Sequence, residues 1–196
     1  MTTAPKSYPG RIRIIGGRWR GRLIDVPDAP GLRPTGSRIR ETLFNWLMPV
    51  ITGARCLDLF AGAGALGFEA ASRGAAHVIM LDRDAGAIRH LRATAAELDA
   101  GGVECIQADA LHWLDGAAGP FDIVFVDPPF QSGLTEIILS RLGHPALLNP
   151  GAQVYVEADK HADMSQLPPG WRVRREKVAG QVRYLLIETV PAEAGG

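Results

Sequence analysis

From residue 54 onward the chain alternates short apolar runs with longer amphipathic ones, and few folds accept that alternation. The apolar runs are 55–60 (RCLDLF), 77–82 (HVIMLD), 103–107 (VECIQ), 121–126 (FDIVFV) and 152–157 (AQVYVE). Each is short and apolar, so each is expected to be a strand. Helices are expected between them, at about 65–73, 84–99, 110–115 and 133–142. Parallel neighbours need long crossovers, and helices supply them, so the pattern predicts an α/β fold. Its sheet is mostly parallel and is covered by helices on both faces. The pattern then changes. Residues 171–178 (WRVRREKV) and 182–188 (VRYLLIE) are separated only by Ala-Gly-Gln. Such a short link makes a hairpin, so at least one strand of the sheet runs antiparallel.

The segment before the alternation has a different character. Residues 11–27 are expected to form two short strands around the tip Gly17-Arg18-Trp19-Arg20-Gly21. Residues 28–36 (DAPGLRPTG) are a Pro/Gly loop. A helix is expected from Ser37 to Met48, because Ile39, Leu43, Trp46 and Leu47 fall on one stripe. Ser37 is expected to cap it and Pro49 to end it. Residues 1–40 hold nine basic side chains and two acidic ones, whereas the remainder holds 12 basic and 19 acidic. A basic end on an acidic body suggests a polyanion partner. Eight of the nine basic residues are Arg, whose planar fork suits phosphates and stacking on bases.

Composition excludes several classes. Hydrophobic residues make up 46% and charged residues 21%, as in ordinary globular domains, and 196 residues suit a single domain with a short extension. No run of 18 apolar residues predicts a membrane span, and MTTAPKSYPG has no apolar leader, so a cytoplasmic protein is expected. Cys56 and Cys105 lie in strand-like runs and are expected to be buried thiols. The five histidines pair with no motif, so no metal is expected.

The chemistry concentrates where the strands end. Asp58-Leu-Phe-Ala-Gly62-Ala-Gly64-Ala-Leu-Gly67 lies where the first parallel strand turns into its helix. Asp82 ends the next strand, 20 residues after Gly62, where a carboxylate can accept both hydroxyls of a ribose. Alone, this pair fits a dinucleotide and S-adenosylmethionine equally. Asp58 favours the latter, because an anion there repels a pyrophosphate and attracts a sulfonium or an ammonium. Asp109, at the end of the third strand, fits two roles: acceptor for an adenine amino group, or N-cap of the 110–115 helix.

Asp127-Pro128-Pro129-Phe130 follows FDIVFV directly. Ligands of such sheets bind outside the carboxyl ends of the strands, so this segment is expected to face the same crevice as the glycines. Two prolines fix φ and remove two backbone donors. They leave a rigid corner of acceptors, the Asp127 carboxylate and the Pro128 carbonyl. An exocyclic amine needs such a corner, since its lone pair is delocalised into the ring. Acceptors on both N–H groups orient the nitrogen and stabilise the charge that develops on it. Phe130 is expected to stack on the base.

DLFAGAGALG, LDRD, QADAL and DPPF together resemble the motif series of class I amino-methyltransferases. GGRWRGR and LRPTGSRIRETLFNWL narrow the resemblance to the RsmD family of bacterial small-subunit ribosomal RNA guanine-N2 methyltransferases, over about residues 11–188. The resemblance implies a Rossmann-like sheet of seven strands with the last one inserted antiparallel, plus a small N-terminal β-hairpin. It implies an extension over residues 1–36, a methyltransferase domain over 37–190 and a disordered tail over 191–196. It implies S-adenosylmethionine as cofactor, with Asp58, Phe60, Ala61, Gly62, Gly64, Asp82, Arg83, Asp109 and Ala110 around it. Asp127, Pro128, Pro129 and Phe130 are implied as the catalytic loop. Arg18, Trp19, Arg20, Arg22, Arg33, Thr35, Arg38 and Arg40 are implied as the RNA-contacting set. The implied partner is 16S ribosomal RNA or a small-subunit assembly particle, met by a monomer. The family commonly has Tyr at position 130, Glu at position 82 and Asp at position 37. Rival expectations keep the fold and change the substrate to a DNA amino group, another RNA amino group or a protein amide. A nicotinamide dehydrogenase would leave Asp58 and DPPF unexplained, and a non-catalytic RNA-binding module would leave the full motif set unexplained.

Overall fold

The computed structural model describes residues 10–26, 36–116, 119–129, 133–164 and 166–189. Arg33, Thr35, Phe130 and the tail 191–196 lie outside the described residues. The element order is β1 (Arg11–Arg13), β2 (Leu23–Asp25), α1 (Ser37–Leu47), β3 (Arg55–Asp58), α2 (Ala65–Ser72), β4 (His77–Asp82), α3 (Ala85–Glu97), β5 (Val103–Gln107), α4 (Ala110–Asp115), β6 (Phe121–Val126), α5 (Leu134–Leu142), β7 (Leu148–Asp159), β8 (Trp171–Ala179) and β9 (Val182–Thr189).

β1 and β2 form a separate antiparallel pair, and the other strands form one seven-stranded sheet in the order β5-β4-β3-β6-β7-β9-β8. β9 is antiparallel to both β7 and β8. It is therefore the one strand that runs against the rest. The chain winds outward from β3 to β5 and then returns to place β6 beside β3. At such a reversal, here between the carboxyl ends of β3 and β6, sheets of this kind form their ligand crevice.

Strand alternation sorts the core into two layers. Cys56, Val78, Met80, Ile123, Phe125 and Tyr155 face α1, α2 and α3. Leu57, Ile79, Leu81, Val124, Val126 and Val154 face α4 and α5. Both cysteines are free and buried. The hairpin joins the first layer through Ile12, Ile14, Trp19 and Ile24, so it shares the core of the main domain.

Glu69 of α2 fastens the hairpin. Its carboxylate has no exposed surface and accepts from the Ile15 and Gly16 amides at 2.8 Å each. Arg73 Nε donates to it at 2.7 Å, and Arg40 lies 3.7 Å away. Three residues on, Ser72 continues the clasp. Its hydroxyl donates to the Gly16 carbonyl at 2.6 Å and accepts from the Trp19 amide at 2.9 Å. Gly17, at φ +75°, comes so close that a Cβ would lie 1.8 Å from the Ser72 carbonyl oxygen, so only glycine fits.

Some elements differ from expectation, each for a local reason. Ser37 does not cap α1. Gly36 occupies the cap position with no side-chain bond, and Ser37 is already helical. β7 begins at Leu148 rather than 152, passing through Pro150 and Gly151. A register shift against β6 between Phe121 and Ile123 absorbs the two breakers. The strand expected over 55–60 ends at Asp58, where the glycine turn begins.

Removing Glu69 would take the acceptor from the Ile15 and Gly16 amides and from Arg73 Nε, and the nearby carboxylate from the buried Arg40. Breaking a buried charge set of this kind costs about 3–5 kcal/mol. Glu69→Ala is expected to lower the melting temperature by roughly 10 °C. Hydrogen exchange at Ile15 and Gly16 should accelerate in the same variant. An unchanged melting curve would show that apolar packing alone holds the hairpin.

Candidate active site

The crevice is built by three hydrogen bonds between strand ends. The Leu59 amide donates to the Phe125 carbonyl at 3.2 Å, Ala61 to Leu81 at 2.9 Å and Ala108 to Asp82 at 3.0 Å. The glycine loop is therefore stitched to the ends of β4 and β6, and the latter leads within two residues to Asp127. Asp58 and Asp82 end β3 and β4, and Asp127 directly follows β6, so the three lie at the carboxyl ends of three adjacent parallel strands.

Asp58 is 2% exposed. Its Oδ2 accepts from the Gly67 amide at 3.2 Å, whereas Oδ1 has no hydrogen-bond partner. Burial pushes this carboxyl up to about 7, the Phe60 and Gly67 amides pull it down, and Asp82 pushes it up again. A buried oxygen without a donor costs about 1–3 kcal/mol. A bound cation or N–H donor relieves that cost, so the loop fits a ligand that carries positive charge.

Asp82 fixes the loop that faces it. Its Oδ2 accepts from the Gly62 amide at 2.9 Å and its Oδ1 from the Asp84 amide at 2.9 Å. Each carboxylate oxygen has a second acceptor site, so these bonds orient Asp82 without exhausting it. Gly64 takes φ +81°, and a Cβ there would lie 2.5 Å from the Phe68 ring and 2.7 Å from Leu91. The turn therefore admits only glycine. Asp109 Oδ1 accepts from the Leu111 and His112 amides at 3.0 and 3.1 Å, which makes it the N-cap of α4. Ala110 is buried behind it and Arg83 is exposed beside Asp82. Phe60 and Gly62 are half-buried along the loop, and Ala61 is buried. Asp127 is half-buried, Pro128 buried and Pro129 exposed.

The basic segment divides. Arg18, Arg20, Arg22 and Arg38 are exposed. The Arg18 guanidinium lies 5.6 Å from the centre of the Trp19 ring and 3.5 Å from Asp99. Two members of the expected RNA-contacting set belong elsewhere. Trp19 is only 9% exposed and packs into the core, because the Ser72 clasp turns the hairpin tip inward. Arg40 is 3% exposed and turns its guanidinium to the Arg13 carbonyl and Glu69. Both are buried in contacts within the fold, Trp19 in the packing against the main domain that was its alternative role.

One buried acid of this region escapes motif matching. Glu157, 3% exposed, follows β7 residue Val156 as Asp127 follows Val126, and those two valines are register partners. Its position at the end of the apolar run 152–157 (AQVYVE), like that of Asp82 at the end of 77–82, is the available sequence signal.

Comparison with known proteins agrees with this geometry. The family model described as conserved hypothetical protein 95 matches residues 12–188. Ribosomal RNA small subunit methyltransferase D of Escherichia coli strain K12 is 49% identical over 182 residues, 93% of this chain and 92% of that protein. The Haemophilus influenzae protein of the same name is 43% identical over 91% of this chain and 94% of its own. Among solved structures, putative methyltransferase yhhF of Escherichia coli matches with a TM-score of 0.87 and 45% identity, covering 93% of this chain and 100% of that one. An RNA methyltransferase of Salinibacter ruber, in complex with S-adenosyl-L-homocysteine, shares the fold at a TM-score of 0.61 and 19% identity, covering 82% and 95%.

The Asp58 shift makes ligand binding depend on pH. Below about 7 its carboxyl holds a proton, which a cationic ligand must displace. Affinity for S-adenosylhomocysteine is therefore expected to rise between pH 5.5 and 7 and then level off, and Asp58→Asn should flatten the curve. In the free chain the sign is opposite. A folded-state pKa above the unfolded one stabilises the fold below about pH 4, and this stabilisation is lost as pH rises through 7. Calorimetric titrations across that range check both statements. A flat wild-type curve would show that the ligand's positive end lies away from Asp58.

Proposed function

We propose a specific reaction for this chain, which belongs to the conserved hypothetical protein 95 family, the RsmD family: methyl transfer from S-adenosylmethionine to the exocyclic N2 amine of a guanine in 16S ribosomal RNA. The observation that carries the reading is the juxtaposition of Asp58 and Asp127. They end adjacent strands on either side of the sheet's reversal point. One carboxylate suits a cationic donor, and the other opens a corner of acceptors suited to an amine.

S-adenosylmethionine, when bound, supplies a methyl group on a sulfonium. The side chains divide the remaining work. Asp58 holds the positively charged end through its unpartnered oxygen. Asp82 accepts the ribose hydroxyls while it keeps the Gly62 amide in place. Asp109 meets the adenine end with the oxygen that its cap bonds leave over, with Phe60, Ala61, Gly64, Arg83 and Ala110 around the nucleoside. Asp127 and the Pro128 carbonyl accept hydrogen bonds from the two N2–H groups, turn the nitrogen lone pair towards the donor and stabilise its developing charge. As the N–C bond forms the C–S bond breaks to leave S-adenosylhomocysteine, and the nitrogen gives up one proton along its hydrogen bond to Asp127. Pro128 and Pro129 keep that corner rigid, so the amine is oriented before the reaction begins. Phe130, the next residue in the chain after Pro129, is the stacking partner proposed for the base. The guanine must leave its stack to reach Asp127, so the target lies in a loop or at a helix end.

Asp127→Ala is expected to lower methyl transfer to ribosomal RNA at least about 100-fold and leave S-adenosylhomocysteine affinity within about twofold. Nucleoside mass spectrometry should identify the wild-type product as N2-methylguanosine. Full activity in the variant would remove the mechanism, and a different methylated nucleoside would replace the substrate.

The exposed arginines bind the phosphates. With Arg33 and Thr35, Arg18, Arg20, Arg22 and Arg38 make up the proposed RNA-binding set. Neutralising Arg20, Arg22 and Arg38 together should weaken RNA binding. The slope of its salt dependence should shrink by about 0.7–0.9 for each phosphate that is no longer neutralised. An unchanged slope across a salt series would move the RNA surface elsewhere.

A further inference from the structure

Beside the Asp127 corner lies a cleft of about 110 Å³ that no step above uses. Pro128 and Pro129 form one wall, and Glu136, Glu157, Asp159 and Asp163 contribute to the others. Four carboxyl groups repel a phosphate, so the backbone of a nucleic acid does not belong there. The edge of a base that offers N–H groups does.

Glu157 is the built member of this set. It is 3% exposed, and the Tyr155 hydroxyl donates to its Oε1 at 2.7 Å. Burial and the adjoining Glu157 raise Tyr155 well above its ordinary range, so it remains an O–H donor. The tyrosine is one partner of this carboxylate, and a carboxylate offers about four acceptor sites. The strand register fixes where the group lies. Phe125 pairs with Tyr155 and Val126 with Val156, so Asp127 and Glu157 continue at matching positions on adjacent parallel strands. Tyr155, which bonds Glu157, is also raised by the charge of Asp127, and Glu157 shares the cleft with Pro128 and Pro129. The two carboxylates therefore lie in one neighbourhood.

We infer that Glu157 selects guanine by accepting its N1–H, next to the Asp127 corner that holds N2. This inference rests on the guanine-N2 reading and deepens it. The Watson–Crick edge of guanine presents two adjacent donor groups, N1–H and N2–H₂. Two adjacent carboxylates match that pair. Adenine and cytosine carry a ring acceptor next to their amine, which a carboxylate repels. Discrimination thus comes from a polar group left unpaired against the wrong base, a stronger filter than shape. Glu157 is a specificity residue, and Tyr155 positions it.

The test uses 2-aminopurine, which keeps the N2 amine but has a ring acceptor at N1. A ribosomal RNA fragment containing the methylated guanine is compared with the same fragment carrying 2-aminopurine at that position. The wild-type chain should favour guanine by about 10–100-fold in kcat/KM, the range of one charge-assisted hydrogen bond. Glu157→Gln should slow transfer to guanine and narrow or invert the preference, because the amide can donate to the purine N1. S-adenosylhomocysteine affinity should not change. Glu157→Asp keeps the carboxylate and should keep the guanine preference, which serves as the folded control. Equal wild-type rates on the two fragments would overturn the inference, as would an unaltered preference in E157Q. A wild-type product other than N2-methylguanosine would instead overturn the reading on which the inference rests.

Discussion

The parallel pairing of β3 with β6 is the constraint on which the rest depends. It joins strands far apart in sequence, through the register Cys56–Ile123 to Asp58–Phe125, and the Leu59 amide extends it into the glycine loop. Without it, Asp58 and Asp127 would be separate carboxylates on separate turns. With it, they lie at the carboxyl ends of adjacent strands, at the reversal of the sheet. Neither site residue creates this arrangement. It follows from β6 returning to the centre after β4 and β5 have been laid on the other side.

Charge is distributed to match. The hairpin and the start of α1 present Arg18, Arg20, Arg22 and Arg38 to solvent, while the ends of the central strands carry carboxylates. Positive charge on the one and negative charge on the other suit ligands of opposite sign. The two parts are mechanically linked. α2 starts at the glycine turn and ends in the Glu69–Ser72–Arg73 cluster that grips the hairpin. One short helix therefore sets the position of both the loop beside Asp58 and the basic tip.

The strand and helix pattern was legible because each signal is local. Strands β4, β5 and β6 and helix α4 fall where periodicity puts them. The glycine loop and DPPF are also local, since tight turns and fixed φ demand particular residues. Burial is not local. Arg40 looks like any arginine of a basic segment until Glu69 and the Arg13 carbonyl are brought against it. Trp19 sits among arginines and still packs inward, because the acceptor that turns it is 53 residues away. Ser37 has the right residue type for a cap, but the helix starts at it rather than after it.

Residue order by itself therefore determined the α/β class, the strand-end positions of Asp58, Asp82 and Asp127, and the surplus of positive charge near the beginning of the chain. Those properties depend on spacings of a few residues and on side-chain type. Tertiary structure alone decided which arginines face solvent, that one oxygen of Asp58 is left without a donor, and that Glu157 shares a cleft with Pro128 and Pro129. Each of these depends on partners distant in the chain, and only the packing of the sheet brings such partners together.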